Sequence, residues 1–147
     1  MGGERYAGES DDLAAVRALA FGARLLERAL DDMSLPQFRV LSLIASSPER
    51  ASRVAEKASV SRPSLTGVLD GLESRGWVRR VGVTGDRRGV GLEVTGEGRA
   101  ALQAAEHAAQ ARLEHVLAEI PADERDAVIV GLNALGGAFT ALRAPAS

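Results

Sequence analysis

The chain has 147 residues, of which 46% are hydrophobic and 26% are charged, with a formal net charge of −2 and no cysteine. This length and composition predict one globular domain or one protomer of an oligomer, and the missing cysteines exclude disulfides, thiolate metal sites and cysteine-based redox sensing. No apolar run is long enough for a transmembrane helix, and residues 1–12 lack the regions of a signal peptide, so we expect a cytoplasmic protein.

The charge is distributed unevenly along the chain. Residues 50–99 hold ten basic and six acidic side chains, a net charge of +4, so the remainder carries a net charge of −6. A basic segment of this kind attracts phosphates, while the acidic remainder limits non-specific binding. The alternative interpretation is that these arginines are simply solvated surface residues.

Two helices are predicted before the basic segment. Residues 1–9 are expected to form a flexible leader, because they contain paired glycines and no apolar periodicity. A long amphipathic helix follows within 10–33, with Ser10 as its N-cap. A second helix is predicted from about Ser34 until just before Ser46.

A helix, a tight turn and another helix are predicted next, over 51–58 and 61–75. Ser61 is a good N-cap for the later helix, and Pro63 is tolerated in its first turn, where backbone N–H groups lack intrahelical partners. The inner face of this helix is predicted to hold Leu65, Val68, Leu69 and Leu72. Its opposite face is small and polar, so it can approach another surface closely.

Two short antiparallel strands are predicted over 77–83 and 90–94. The loop that joins them carries Arg87 and Arg88 between two glycines, which projects guanidinium groups where they can enter a narrow, negative minor groove. We hypothesise that Asp86 pairs with Arg88 and holds it extended. The order helix, turn, helix, strand, loop and strand predicts a winged helix-turn-helix.

Two further helices are predicted after the wing. Thr95 caps an alanine-rich helix, and a last helix follows Pro121. Together with the first helix, they carry more apolar surface than a DNA-binding lobe over 34–95 can cover. We therefore expect a twofold homodimer formed through 10–33 and 96–147. The alternative, a monomer with a helical tail, leaves large apolar patches exposed.

The chain resembles the multiple-antibiotic-resistance regulator (MarR) family of bacterial winged-helix transcription factors. The residues that carry the resemblance are Val54, Ala55, Val60 and Ser61 in the helix-turn-helix, Leu72, Glu73, Gly76, Trp77, Val78 and Arg80 after it, Asp86, Arg87 and Arg88 in the wing, and Leu92, Glu93, Val94, Thr95 and Gly98 beyond it. The resemblance implies a mainly α-helical fold with a small two-stranded antiparallel wing, and a transcriptional repressor that binds double-stranded DNA.

The helix over 61–75 is expected to lie in the major groove of a palindromic site. The candidates for DNA contact in this helix are Ser61, Arg62, Pro63, Ser64 and Thr66. The candidates for phosphate contact are Arg53, Arg75, Arg79 and Arg80, and those in the wing are Asp86, Arg87 and Arg88, with Arg88 favoured for the minor groove by the resemblance. Gly67 stands where many relatives have a long polar or basic side chain, so base readout is expected to depend more on Arg62, DNA shape and water.

The resemblance also implies a site for a small anionic or aromatic effector in the crevice between the DNA-binding lobe and the dimer helices. The candidate lining residues are Phe21, Arg24, Met33 and Phe38. The same residues are equally consistent with ordinary packing between helices.

No catalytic constellation, cofactor motif or nucleotide loop is present in the sequence, so an enzyme is not expected and no cofactor is predicted. His107 and His115 are eight residues apart and could share a face of one helix, but two ligands do not make a metal site. The rival function is a winged-helix dimer that no longer binds DNA and serves protein interaction, which Gly67 and the acidic total favour.

Overall fold

The computed structural model describes residues 10–46, 49–50, 54, 61–83 and 85–143. The helices and strands in these ranges are α1 (Asp11–Ala29), α2 (Leu35–Ser46), β1 (Glu49–Arg50), α3 (Arg62–Ser74), β2 (Val78–Val83), β3 (Asp86–Val94), α4 (Gly96–Leu117) and α5 (Arg125–Arg143). The predicted leader 1–9, and the predicted helix 51–58 except Val54, lie outside the described residues. Within those ranges, no helix has the length and apolar character needed to span a membrane.

The helices begin at polar residues that cap them. The predicted N-caps Ser10, Ser61 and Thr95 are confirmed, since each side-chain oxygen accepts a hydrogen bond from the backbone N–H three residues later. Ser34 and Gln37 form a reciprocal pair at the start of α2, in which each side chain accepts from the other residue's backbone N–H, at 3.2 and 3.0 Å. Local hydrogen bonds therefore set where these helices start.

The hydrophobic core lies where α2, α3, the sheet and the first half of α4 meet. The buried apolar residues are Leu30, Met33, Val40, Leu41, Ile44, Val54, Leu65, Leu69, Leu72, Val78, Leu92, Val94, Leu102 and Ala105. The predicted inner face of α3 is confirmed, with Val68 only partly buried beside it. Trp77, which is also partly buried, packs against this core.

The predicted antiparallel wing is present as β2 and β3, but two details differ from the prediction. The strand β3 begins at Asp86, so the predicted loop over 84–89 is too long. The turn can be short because Gly85 adopts φ +86°, which glycine tolerates without steric cost. The sheet also has a third strand, because β1 pairs with the other edge of β3 in the order β1-β3-β2.

The end of α3 is bonded directly to the start of α4. Gly76 adopts φ +71° and ends α3 as predicted, with the Trp77 N–H donating to the Leu72 carbonyl at 2.9 Å. The Thr95 N–H donates to the Trp77 carbonyl at 3.0 Å, and the Thr95 hydroxyl donates to the Gly76 carbonyl. Gly98 packs against the same Trp77 carbonyl, so the segment that follows α3 meets the first turn of α4 through its backbone.

Adding a methyl group at this junction is expected to destabilise the protein. A Cβ at Gly98 would lie 2.1 Å from the Trp77 carbonyl oxygen, and backbone cannot move aside as a side chain can. We expect Gly98→Ala to lower the free energy of unfolding by about 1–3 kcal/mol or more. Thermal unfolding at one chain concentration measures the change.

The matched control is Gly96→Ala in the same helix turn, since a Cβ there meets no atom within 4 Å. This control should be at least as stable as the parent chain, because alanine loses less backbone entropy than glycine on folding. Equal melting temperatures for the two variants would contradict the close approach at Gly98.

Candidate nucleic-acid interface

Helix α3 presents small side chains on its outer face. Its exposed residues are Pro63, Ser64, Thr66, Gly67, Asp70 and Ser74. Leu65, Leu69 and Leu72 on the opposite face are buried in the core, as the predicted periodicity requires. Because these side chains are small, the backbone of α3 can come close to the edges of base pairs in a DNA groove.

The first turn of α3 carries the predicted contact residues. The Ser61 hydroxyl accepts from the Ser64 N–H at 3.3 Å and donates to the Ser64 hydroxyl at 2.9 Å. Arg62 and Pro63 open the helix, although the Arg62 side chain lies outside what the structure describes. Backbone N–H groups at this end favour anions such as phosphate.

The tip of the wing contains an irregularity that the sequence did not predict. Gly82 pairs with Val90, whereas the next residue of β2, Val83, pairs with Asp86. Residues 87–89 of β3 are consequently extra and form a bulge that includes both wing arginines. The side chains of Asp86, Arg87 and Arg88 lie outside the described set, so their pairing and their DNA contacts stay predictions.

Arg79 and Arg80 both pair with carboxylates of the same lobe. Arg79 donates twice to the Glu93 carboxylate across the strand pair, at 2.7 and 3.0 Å. Arg80 donates to Glu73 at 2.9 Å and lies 4.0 Å from the Asp70 carboxylate. The two arginines are exposed and their carboxylates are partly exposed, so these surface pairs stabilise the fold little and can exchange for phosphate contacts.

Arg80 also changes the charge that α3 shows to a partner. The hydrogen bond from Arg80 to Glu73, followed by the charge of that carboxylate, raises the pKa of Arg80 above its ordinary value. Its permanent positive charge offsets Glu73 and Asp70, which would otherwise repel a phosphate backbone from the outer part of α3.

Arg75 has different partners from the other predicted phosphate contacts. Its Nη1 donates to the backbone carbonyl of Asp32 at 2.6 Å, and its guanidinium carbon lies 4.3 Å from the centroid of the Trp77 ring. Arg53 lies outside the described residues. For the arginines of this surface, contact with DNA stays a prediction.

The four predicted effector residues divide between the core and the surface. Met33 is buried in the core, and Phe38 is partly buried against it. Phe21 is 75% exposed on α1, and Arg24 is exposed three residues later, where it pairs with Glu27 at 3.1 Å. The effector site stays a prediction.

The sequence prediction missed the intramolecular partners of the arginines. Glu93 could have been found from the strand register, which places it opposite Arg79. The Asp32 carbonyl and the Glu73 carboxylate had no sequence signal, because their contacts depend on tertiary packing. In the described part of the chain, no group of three or more His, Asp or Glu side chains is arranged to hold a metal ion.

These elements define a winged helix-turn-helix protein. The model of the MarR family matches residues 33–90. The HTH-type transcriptional regulator YfiV of Bacillus subtilis (strain 168) is 33% identical over 109 residues, which cover 74% of this chain and 68% of that relative. The chain belongs to the MarR family.

Solved structures agree with this assignment. The transcriptional repressor CouR bound to a 23-mer DNA duplex is similar with a TM-score of 0.74 and 29% identity, over 91% of this chain and 99% of that chain. A MarR family protein of Mycobacterium tuberculosis in complex with salicylic acid is similar with a TM-score of 0.72 and 26% identity, over 88% and 98% of the two chains.

Two glycines of α3 are expected to respond differently to alanine. A Cβ at Gly67 meets no atom within 4 Å, whereas one at Gly71 would lie 2.9 Å from Nε2 of Gln37. We expect Gly67→Ala to raise the free energy of unfolding by about 0.5–1 kcal/mol, because glycine is unfavourable within a helix.

Gly71→Ala should not raise the free energy of unfolding in this way, because the added methyl group displaces the Gln37 side chain from its hydrogen bond with Ser34. The two variants form a matched pair in one helix, and their melting temperatures measure the difference. The same rise in both would contradict the packing of Gly71 against α2.

Proposed function

We propose that this protein is a homodimeric, ligand-responsive transcriptional repressor that binds a palindromic DNA operator. In this proposal, α3 enters the major groove and the bulged tip of the wing enters the adjacent minor groove. The observation that carries it is the exposed, small-faced helix α3 beside an arginine-bearing wing, in a chain of the MarR family.

The distribution of charge supports DNA as the partner. Residues 50–99 carry a net charge of +4 in a chain whose total is −2. The similar CouR structure holds a DNA duplex, which supports the same mode of binding here. Exposed pairs such as that of Arg79 with Glu93 provide arginines that phosphates can recruit when DNA approaches.

Exposed apolar side chains on α1 and α5 support a homodimer. The large apolar residues exposed on these two helices are Leu13, Val16, Leu19, Phe21, Val130, Leu132, Phe139 and Leu142. A water-exposed stripe of this size is unfavourable, and a second copy of the same helices covers it with matching chemistry. A twofold axis then sets two copies of α3 about one DNA turn apart, which requires a palindromic operator.

An aromatic acid is the effector class that we infer. A similar protein of Mycobacterium tuberculosis is known in complex with salicylic acid. Phe21 and Arg24 offer an aromatic ring and a cation on the same side of α1, which suits a ligand of that chemistry. We infer that Met33 and Phe38, which are buried and partly buried in the core, contribute apolar surface to the same site. Such a ligand controls the protein only if it binds the DNA-competent and incompetent states with different affinity.

A binding titration tests the proposal against a dimer that serves only protein interaction. Labelled DNA from upstream of the protein's own gene is titrated with the chain at two salt concentrations, beside scrambled DNA. We expect specific binding to a palindrome that weakens steeply with salt, since each neutralised phosphate adds about 0.9 to the slope of log K against log salt.

Salicylate added to the preformed complex tests the effector class, and dissociation is the expected result. Benzyl alcohol is a control that keeps the ring without the carboxylate. If the wild-type chain shows no preference for the upstream DNA over scrambled DNA at low salt, the result would favour the protein-interaction dimer.

Removal of one wing arginine should weaken operator binding while the dimer persists. We expect Arg88→Ala to raise the operator Kd by about tenfold, the scale of one lost specific contact. The matched control is Arg112→Ala, which removes the same charge from an exposed position on α4. Fluorescence anisotropy measures Kd, and analytical ultracentrifugation measures the oligomeric state. An unchanged Kd for Arg88→Ala would remove Arg88 from the mechanism.

A further inference from the structure

The corner between α1 and α2, residues 30–37, has a conformation set by its own hydrogen bonds. Asp31 adopts φ +51°, a left-handed backbone conformation, in the turn that follows α1. The reciprocal bonds between Ser34 and Gln37 then fix the first turn of α2. The backbone carbonyl of Asp32, between these two features, is therefore held in a defined direction.

Helix α3 contacts this corner at two points along its length. Gly71 approaches Gln37 so closely that an added Cβ would lie 2.9 Å from the Gln37 side-chain nitrogen. One turn later, Arg75 Nη1 donates to the Asp32 carbonyl at 2.6 Å, across 43 residues of sequence. Two contacts one turn apart define the direction of the helix axis against the corner, which a single contact does not.

Trp77 holds the Arg75 side chain in place for this contact. The guanidinium carbon lies 4.3 Å from the centroid of the indole ring, within the range of a cation–π interaction. A planar guanidinium can stack on a ring with its face while its edge donates a hydrogen bond. Because the Trp77 backbone is bonded to Thr95 at the start of α4, Arg75 joins α3, the corner and α4.

The acceptor of the Arg75 hydrogen bond distinguishes it from its neighbours. Arg79 and Arg80 donate to side-chain carboxylates, which are partly exposed and can rotate away when a phosphate approaches. Arg75 donates to a backbone carbonyl, which cannot rotate independently of the corner. The Trp77 ring covers one face of the Arg75 guanidinium and the Asp32 carbonyl accepts from its Nη1. This geometry suits Arg75 to orient α3 better than to contact a phosphate.

We propose that Arg75 is a positioning residue, which fixes the angle of α3 against the α1–α2 corner and so aims the outer face of α3 at the operator. The consequence for DNA rests on the proposed function. Loss of Arg75 lets α3 adopt further orientations. The apparent Kd for the operator then rises in inverse proportion to the fraction of molecules whose α3 keeps the orientation that binds DNA. A competent fraction of about one tenth raises the operator Kd about tenfold.

The orientation of α3 is measured directly by the distance between two spin labels in one chain. Because the chain has no cysteine, Gly67→Cys on α3 and Ala104→Cys on α4 provide the only attachment sites, and both positions are exposed. Labelled chain is mixed with excess unlabelled chain, so that each dimer carries at most one labelled protomer. We expect Arg75→Ala to broaden or shift the distance distribution, and Arg112→Ala to leave it unchanged.

Operator binding by the unlabelled variants separates positioning from phosphate contact. A positioning role predicts that Arg75→Ala raises the Kd for the operator about tenfold, with the salt slope unchanged and little change in binding to scrambled DNA. A phosphate role predicts that binding to both DNAs weakens together and that the slope falls by about 0.9. Arg112→Ala controls for the loss of one positive charge.

The outcomes for this inference and for the proposed function are distinct. An unchanged distance distribution in Arg75→Ala would overturn the positioning role, as would parallel loss on both DNAs with a reduced slope. A wild-type chain without specific binding would instead refute the regulator. In that case the label distances still decide whether Arg75 orients α3.

Discussion

The backbone contact between Trp77 and Gly98 is the constraint on which the DNA-binding lobe depends. An added Cβ at Gly98 would lie 2.1 Å from the Trp77 carbonyl oxygen, so only glycine permits the approach. Thr95 closes the same junction, because its hydroxyl accepts from the Gly98 N–H and donates to the Gly76 carbonyl. Since backbone atoms cannot adjust by changing rotamers, the end of α3 and the start of α4 move as one unit.

The ion pairs of the lobe lie at its surface and contribute little to its stability. Arg79 and Arg80 are paired with Glu93 and Glu73; the arginines are exposed and the carboxylates are partly exposed. Exposed pairs contribute little to folding, and they keep the arginines from repelling one another before DNA arrives. Their carboxylates also offset part of the positive charge of residues 50–99, so under the proposed function DNA phosphates compete with these carboxylates for the arginines.

Features that depend on neighbouring residues could be predicted from the sequence. The cap at Ser61 and the left-handed Gly76 were predictable because both arise from bonds within one or two helical turns. The bulge at 87–89 was not, since it depends on which residues of two strands face each other. The partner of Arg75 was also hidden, because it is a backbone carbonyl 43 residues away, and a carbonyl has no residue-type signature.

The contacts within the lobe bear on where the proposed ligand control would act. Within one protomer, α3 is held to α4 by the Trp77 junction and to α2 by the close approach of Gly71 to Gln37. Deforming the Trp77 junction displaces packed backbone, whereas the Gly71 contact is with the end of the Gln37 side chain. The apolar surfaces of α1 and α5, in contrast, are free to repack against a second copy. Under the proposed function, an effector bound along α1 would therefore change the distance between the two lobes of a dimer more readily than the shape of either lobe.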